Sequence, residues 1–171
     1  IGLSYVDSYS FAFFRLLIAS ATILAVAIPL RKFKPSLFKN KIIWFLGISN
    51  ALGFVLQYVG MNYTTASKTV LLVDSDVVIV AILSWITFKE KFSNKMKAAV
   101  GMGFVGAVLL ASGGNLSELA GGELLGDILV FLAGVAWAFF MVWNKSLLTK
   151  GVDAVTTIAC VMPVTAVFLF P

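Results

Sequence analysis

Apolar residues run along this chain in six stretches of about twenty residues, parted by short polar joints. The pattern predicts helices at Ser10 to Leu30, Ile42 to Asn62, Thr69 to Phe88, Ala98 to Gly113, Leu124 to Asn144 and Ala154 to Phe170. Breakers fall between them: Pro29 and Pro35, Ser93 and Asn94, then the pairs Gly113-Gly114 and Gly121-Gly122. Joints this short connect neighbouring antiparallel helices. The expected fold is therefore all-α, a polytopic transmembrane helix bundle with about six spans in this chain.

Composition agrees. The 171 residues are 60% hydrophobic and 12% charged, with a mean hydropathy of +1.00, far above the apolar share of water-soluble domains. The net charge of +5 reads as topology. Eleven of the thirteen basic residues lie on one side, at the first joint (Arg31, Lys32, Lys34, Lys39, Lys41), the third (Lys89, Lys91, Lys95, Lys97) and the fifth (Lys145, Lys150). That side is expected to be cytoplasmic. Asp7, Glu118, Glu123, Asp127 and Lys68 fall on the other. Since topology already accounts for nearly all the lysines and arginines, nucleic-acid binding is not expected. The Arg31 to Lys41 segment is placed to touch anionic lipid headgroups, or serves only to fix orientation. The chain opens on Ile1 and stops at Pro171 inside an apolar run, so a longer protein is expected, with one helix before Ile1 and at least one after Pro171.

An echo supports an internal repeat. Val6-Asp7 leads into the first span as Val152-Asp153 leads into the last, 146 residues later, with five helices between the two starts. An odd number inverts the second copy, as in many secondary transporters.

Three runs stand in order: Phe13-Phe14-Arg15-Leu16-Leu17-Ile18-Ala19, then Gly60-Met61-Asn62-Tyr63-Thr64-Thr65-Ala66-Ser67, then Ser84-Trp85 leading to Phe88-Lys89-Glu90-Lys91-Phe92-Ser93. In letters, order and spacing the chain resembles the EamA-like drug/metabolite transporters. The resemblance implies ten helices in two inverted five-helix repeats, with residues 1–115 as helices two to five of the first repeat and 116–171 as helices one and two of the second. It also implies a central cavity lined by the second, third and fifth spans of this chain. Members often carry a proline about thirteen residues before the motif glutamate; here Val77 stands there. Without that proline the third span is expected to be straighter.

The sharpest chemistry is a pair of carboxylates within that span, Asp74 and Asp76. At mid-span depth an unpaired charge costs several kcal/mol, so each needs a partner or a function. Two residues apart, they stand about 200° around a helix and face different surroundings. One is a candidate for a cationic group of a solute or for a coupling proton; an ion pair with Arg15, at similar depth in the first span, is the structural alternative. Lys68 shares a helix face with Asp76. On the second span Asn50, Gly53, Phe54, Gln57, Tyr58 and Met61 form one stripe, fit to line a cavity or to hydrogen-bond across helices. The fifth span repeats the style with Trp137, Met141 and Asn144, while Trp143 suits packing or the membrane interface. The fourth looks purely structural, with Ala99, Gly103, Ala107 and Ala111 as a small-residue ridge for close helix approach. Glu90, at the cytoplasmic end among lysines, is expected to pair or to order a loop.

Enzymatic chemistry is poorly supplied. There is no histidine, Cys160 sits alone in mid-span, and no glycine-rich phosphate loop is present. Neither a cofactor nor a bound metal is expected. Taken together, these features and the resemblance imply a secondary carrier, an exporter of small organic metabolites, amino acids or drug-like solutes, in the cell membrane, with the proton as candidate coupling ion and a homodimer as candidate assembly. A scaffold or assembly subunit that transports nothing is the alternative.

Overall fold

A computed structural model describes residues 8–89, 93–112, 115, 117 and 124–170. Their regular structure is helical: α1 (Ser8–Ala27), α2 (Lys41–Gly60), α3 (Ala66–Asp74), α4 (Asp76–Phe88), α5 (Asn94–Ser112), α6 (Leu124–Leu148) and α7 (Ala154–Phe168), with a short 3-10 turn over Pro35–Lys39. Each of the six expected stretches is helical. Tyr9–Ala27, Lys41–Gly60, Ala66–Phe88 and Leu124–Leu148 are long and apolar enough to cross a membrane, and α7 is a shorter apolar helix. Large apolar side chains stay on the surface, Ile18 at 66%, Ile86 at 62% and Met102 at 70% exposure. Such surfaces aggregate in water and are at home against lipid. The protein is a multi-pass integral membrane helix bundle.

The chain divides into two compact units, one of Ile1–Val55 with Phe140–Pro171 and one of Leu56–Phe139. In the first, Ile43, Leu46, Leu147, Cys160, Val161 and Val164 form a closed core, with Phe33, Phe38 and Trp143 packed against it. The Trp143 ring also stands 5.3 Å from that of Phe45, so this tryptophan serves packing. Gly47 lets α7 come close: a Cβ there would fall 2.3 Å from a methyl of Val164. Beside it, the Thr165 hydroxyl lies 3.1 Å from the Val161 carbonyl oxygen and 3.3 Å from that of Gly47. The Asn50 amide donates to the same hydroxyl at 3.2 Å. Asp153 caps α7 by accepting from the Thr156 N–H, and Lys32 meets its carboxylate at 3.0 Å. Lys32 and that cap hold the Asp153 carboxyl below the usual carboxylate range.

In the second unit the third span is not the straight helix expected from the missing proline. Its hydrogen-bond ladder breaks at Ser75, which separates α3 from α4. The Ser75 hydroxyl donates to the Leu72 carbonyl at 2.6 Å, and the Val78 N–H turns back to the Ser75 carbonyl at 3.1 Å. Serine back-bonding thus opens the ladder where a proline would have done so by lacking its donor. Farther on, Lys89 ends α4 in the left-handed region, at φ 52°.

Of the ridge expected on α5, Gly103 borders open space: among the described residues a Cβ there, or at Gly101 or Gly106, would meet nothing within 4 Å. The side chains of Ala107 and Ala111 lie outside the described residues, as do Gly113-Gly114 and Gly121-Gly122. The close approaches of this unit occur at Gly60, Gly126 and Gly134. A Cβ on Gly126 would come 2.7 Å from the backbone of Tyr63, and one on Gly134 3.2 Å from the carbonyl oxygens of Leu72 and Val73. Glycine is needed there because backbone, which cannot swing aside, fills the space.

Candidate functional site

The chemistry gathers where α3 gives way to α4. Asp74 ends α3 and is exposed, whereas Asp76 opens α4 and is buried to 7% exposure. The two carboxylates face different surroundings, as their angular separation requires. Counted by helical rise from Ala66, they stand about 12 and 15 Å along the Ala66–Phe88 span. Asp76 also occupies the first turn of a helix that starts in mid-span, where free backbone N–H groups and the positive end of the helix dipole favour a negative charge. Gly134 brings the backbone of α6 against the last turn of α3, so the break is braced from one side.

A trough opens beside the break. One cavity of about 480 Å³ is lined by Ser75, Val78, Ile79, Val100, Gly101, Phe104 and Phe131. A second, of about 310 Å³, has Asp74 in its wall and shares Val78, Val100 and Phe104 with the first.

The end of this unit where α3 and α6 begin carries a polar tie that sequence reasoning missed. Asp127, in the first turn of α6, accepts from the Thr64 hydroxyl at 2.5 Å and from the Lys68 ammonium at 2.7 Å. Both partners of the ion pair are mostly covered, with side-chain exposures of 15% for Lys68 and 21% for Asp127. Lys68 is therefore engaged with Asp127, and the break at Ser75 puts it on a different helix from Asp76. The one signal in the sequence is Thr64-Thr65 before a helix start, where Thr65 caps α3 through the Lys68 N–H.

The other expected site residues are dispersed. Gln57 is half-buried and Tyr58 buried at the end of α2, and Trp137 is half-buried three residues beyond Gly134; all belong to the Leu56–Phe139 unit. Asn50 and Asn144 belong to the other unit. Asn50 is buried and bound to Thr165, whereas the side-chain oxygen of Asn144 is buried without a hydrogen-bond partner. Arg15 lies in that unit too, its guanidinium 5.9 Å from the centre of the Phe54 ring, a cation–π contact. Glu90, Asp7, Glu118 and Glu123 lie outside the described residues. Among the described residues, no three acidic or cysteine side chains converge in a way that would hold a metal.

Comparison with known proteins agrees with this picture. The chain is 31% identical to an uncharacterized transporter of Archaeoglobus fulgidus over its whole length, which is 59% of that relative. It is 28% identical to the uncharacterized transporter YyaM of Bacillus subtilis, across 90% of this chain and 52% of that one. With YvbV, also an uncharacterized transporter of Bacillus subtilis, it shares 26% identity over 98% of this chain and 54% of the relative. The chain thus spans about half the length of the curated relatives it matches across most of its own. No solved structure matches. The family model for EamA-like transporters matches residues 1–112, and the chain belongs to the EamA-like transporter family.

Proposed function

We propose that the protein is a secondary carrier of small organic solutes, working by alternating access between two inverted repeats, with residues 1–115 contributing helices two to five of the first repeat and 116–171 helices one and two of the second. One observation carries the reading: Asp76 is a buried carboxylate at the start of a helix that begins within an apolar span. Interrupted spans whose half-helix ends face a solute or ion are the usual architecture of such sites in secondary transporters. Asp76 is the coupling group in this reading, releasing a proton to one side and taking one from the other, and Gln57, Tyr58 and Trp137 contribute polar and aromatic wall. Transport is outward, across the plasma membrane. Family membership and relatives named as transporters support the general activity.

The test is counterflow and proton-gradient-driven uptake of labelled amines, amino acids and nucleobases by the full-length protein in liposomes. Asp76→Asn is expected to abolish gradient-driven accumulation. Accumulation at the wild-type level by that variant would remove Asp76 from the coupling role.

A further inference from the structure

We infer that the trough between the α3–α4 break and α5 binds an amphipathic organic cation, an amine or quaternary ammonium with an apolar body, whose charge is met by Asp74. The inference rests on the carrier reading and specifies its solute.

The two cavities share three lining residues, so they adjoin along the trough. At about 480 and 310 Å³ their sizes suit a drug-sized molecule. Its walls are apolar, Val77, Val78 and Val100 with the rings of Phe104 and Phe131, and α5 leaves the space open by presenting glycine at 101, 103 and 106. Asp74 is the ionisable group in this lining, exposed into it at mid-span depth. Among the described residues it forms no ion pair, and Lys68, the cation of the same helix, is held by Asp127. An acyl chain would fill the apolar walls and leave the carboxylate without a counter-charge in hydrocarbon. An anionic metabolite would be repelled. Among the described lining residues a zwitterion would find no cation for its carboxylate. A cation with an aromatic or aliphatic body satisfies both ends, its charge on Asp74 and its body against Phe104 and Phe131.

The probe is phenethyltrimethylammonium, with its uncharged isostere 3,3-dimethylbutylbenzene as control, measured by equilibrium dialysis on the full-length protein in nanodiscs against empty nanodiscs. Wild type is expected to bind the cation saturably and the isostere weakly. Asp74→Asn is expected to lower affinity about tenfold or more, and Asp74→Glu to keep most of it. Gly103→Leu occupies open space, so it is expected to unfold at the wild-type temperature yet bind the cation weakly. Equal binding by wild type and Asp74→Asn, equal binding of cation and isostere, or no saturable binding overturns the inference. A protein that carries neutral solutes under a proton gradient but binds no cation leaves the carrier reading standing and removes this site. One that binds the cation through Asp74 but moves no solute keeps the site and removes the carrier reading.

Discussion

Both units of this chain are built from apolar helices, but they differ in where they place charge. In the Ile1–Val55 and Phe140–Pro171 unit, Asp153 is the only carboxylate among the described residues, and it is a helix cap at a joint, paired to Lys32. Side chains from α2, α6 and α7 close the core there, and the Asn50–Thr165 contact satisfies polar atoms across helices. The Leu56–Phe139 unit keeps Asp74 and Asp76 within a span, breaks the backbone ladder between them, and leaves a trough beside the break. In the first unit Asp153, Asn50 and Thr165 are engaged in structural contacts, while the Asn144 side-chain oxygen is buried with no partner among the described residues. In the second, two carboxylates stand within a span, at a serine-opened ladder, and neither forms an ion pair among the described residues.

The largest expected effect comes from removing the backbone contact that shapes the second unit. Gly126→Val places a branched side chain where the Tyr63 and Thr64 backbone already lies 2.7 to 2.8 Å from a Cβ. It is expected to destabilise by about 3 kcal/mol or more, read as loss of folded full-length protein on thermal unfolding in detergent. Wild-type stability for Gly126→Val would mean that the α6 start is not packed against that turn.

A smaller effect is expected from the polar tie. Lys68→Met leaves Asp127 with the Thr64 hydroxyl alone and is expected to cost about 1 to 2 kcal/mol, less than a fully buried pair because both side chains keep some exposure. Asp127→Asn should cost a similar amount, and the double variant less than the sum of the two. Additive losses would show that the pair does not act as a unit.

The smallest effect separates the joint carboxylate from the intramembrane ones. Folding holds Asp153 below its unfolded value, so its contribution to stability is fully present above about pH 4, the unfolded carboxylate range, and fades as pH falls through the lowered folded value. Between pH 5 and 8, Asp153→Asn is therefore expected to shift the unfolding temperature by a constant small amount. A shift that changes across that window would place the titration of Asp153 in the wrong range.

Much of the fold was legible because lipid permits few solutions: apolar length gave the helices, and the joints gave their ends. The divergence of Asp74 and Asp76 followed from helical pitch alone. The Ser75 break was hidden because a serine in a helix either points outward or bonds back to a carbonyl, and the sequence does not distinguish the two. Glycine was ambiguous in the same way. Gly103 sits at ridge spacing but borders open space, while Gly126 and Gly134, which do allow close approach, carry no distinguishing pattern. Helical pitch puts Lys68 on the face of Asp76 two turns away, and its partner lies 59 residues along the chain on α6. Long-range pairing of that kind is decided by tertiary packing.

The central claim is alternating access, and side-specific labelling tests it most directly. Gln57→Cys, in a Cys160→Ala background of the full-length protein, is treated with a membrane-impermeant thiol reagent from each side of oriented vesicles. A carrier is expected to be labelled from both sides, with transported solute shifting the ratio and an imposed proton gradient shifting it again. Labelling from one side only, at a rate that neither solute nor gradient changes, would contradict the account and favour a static membrane scaffold.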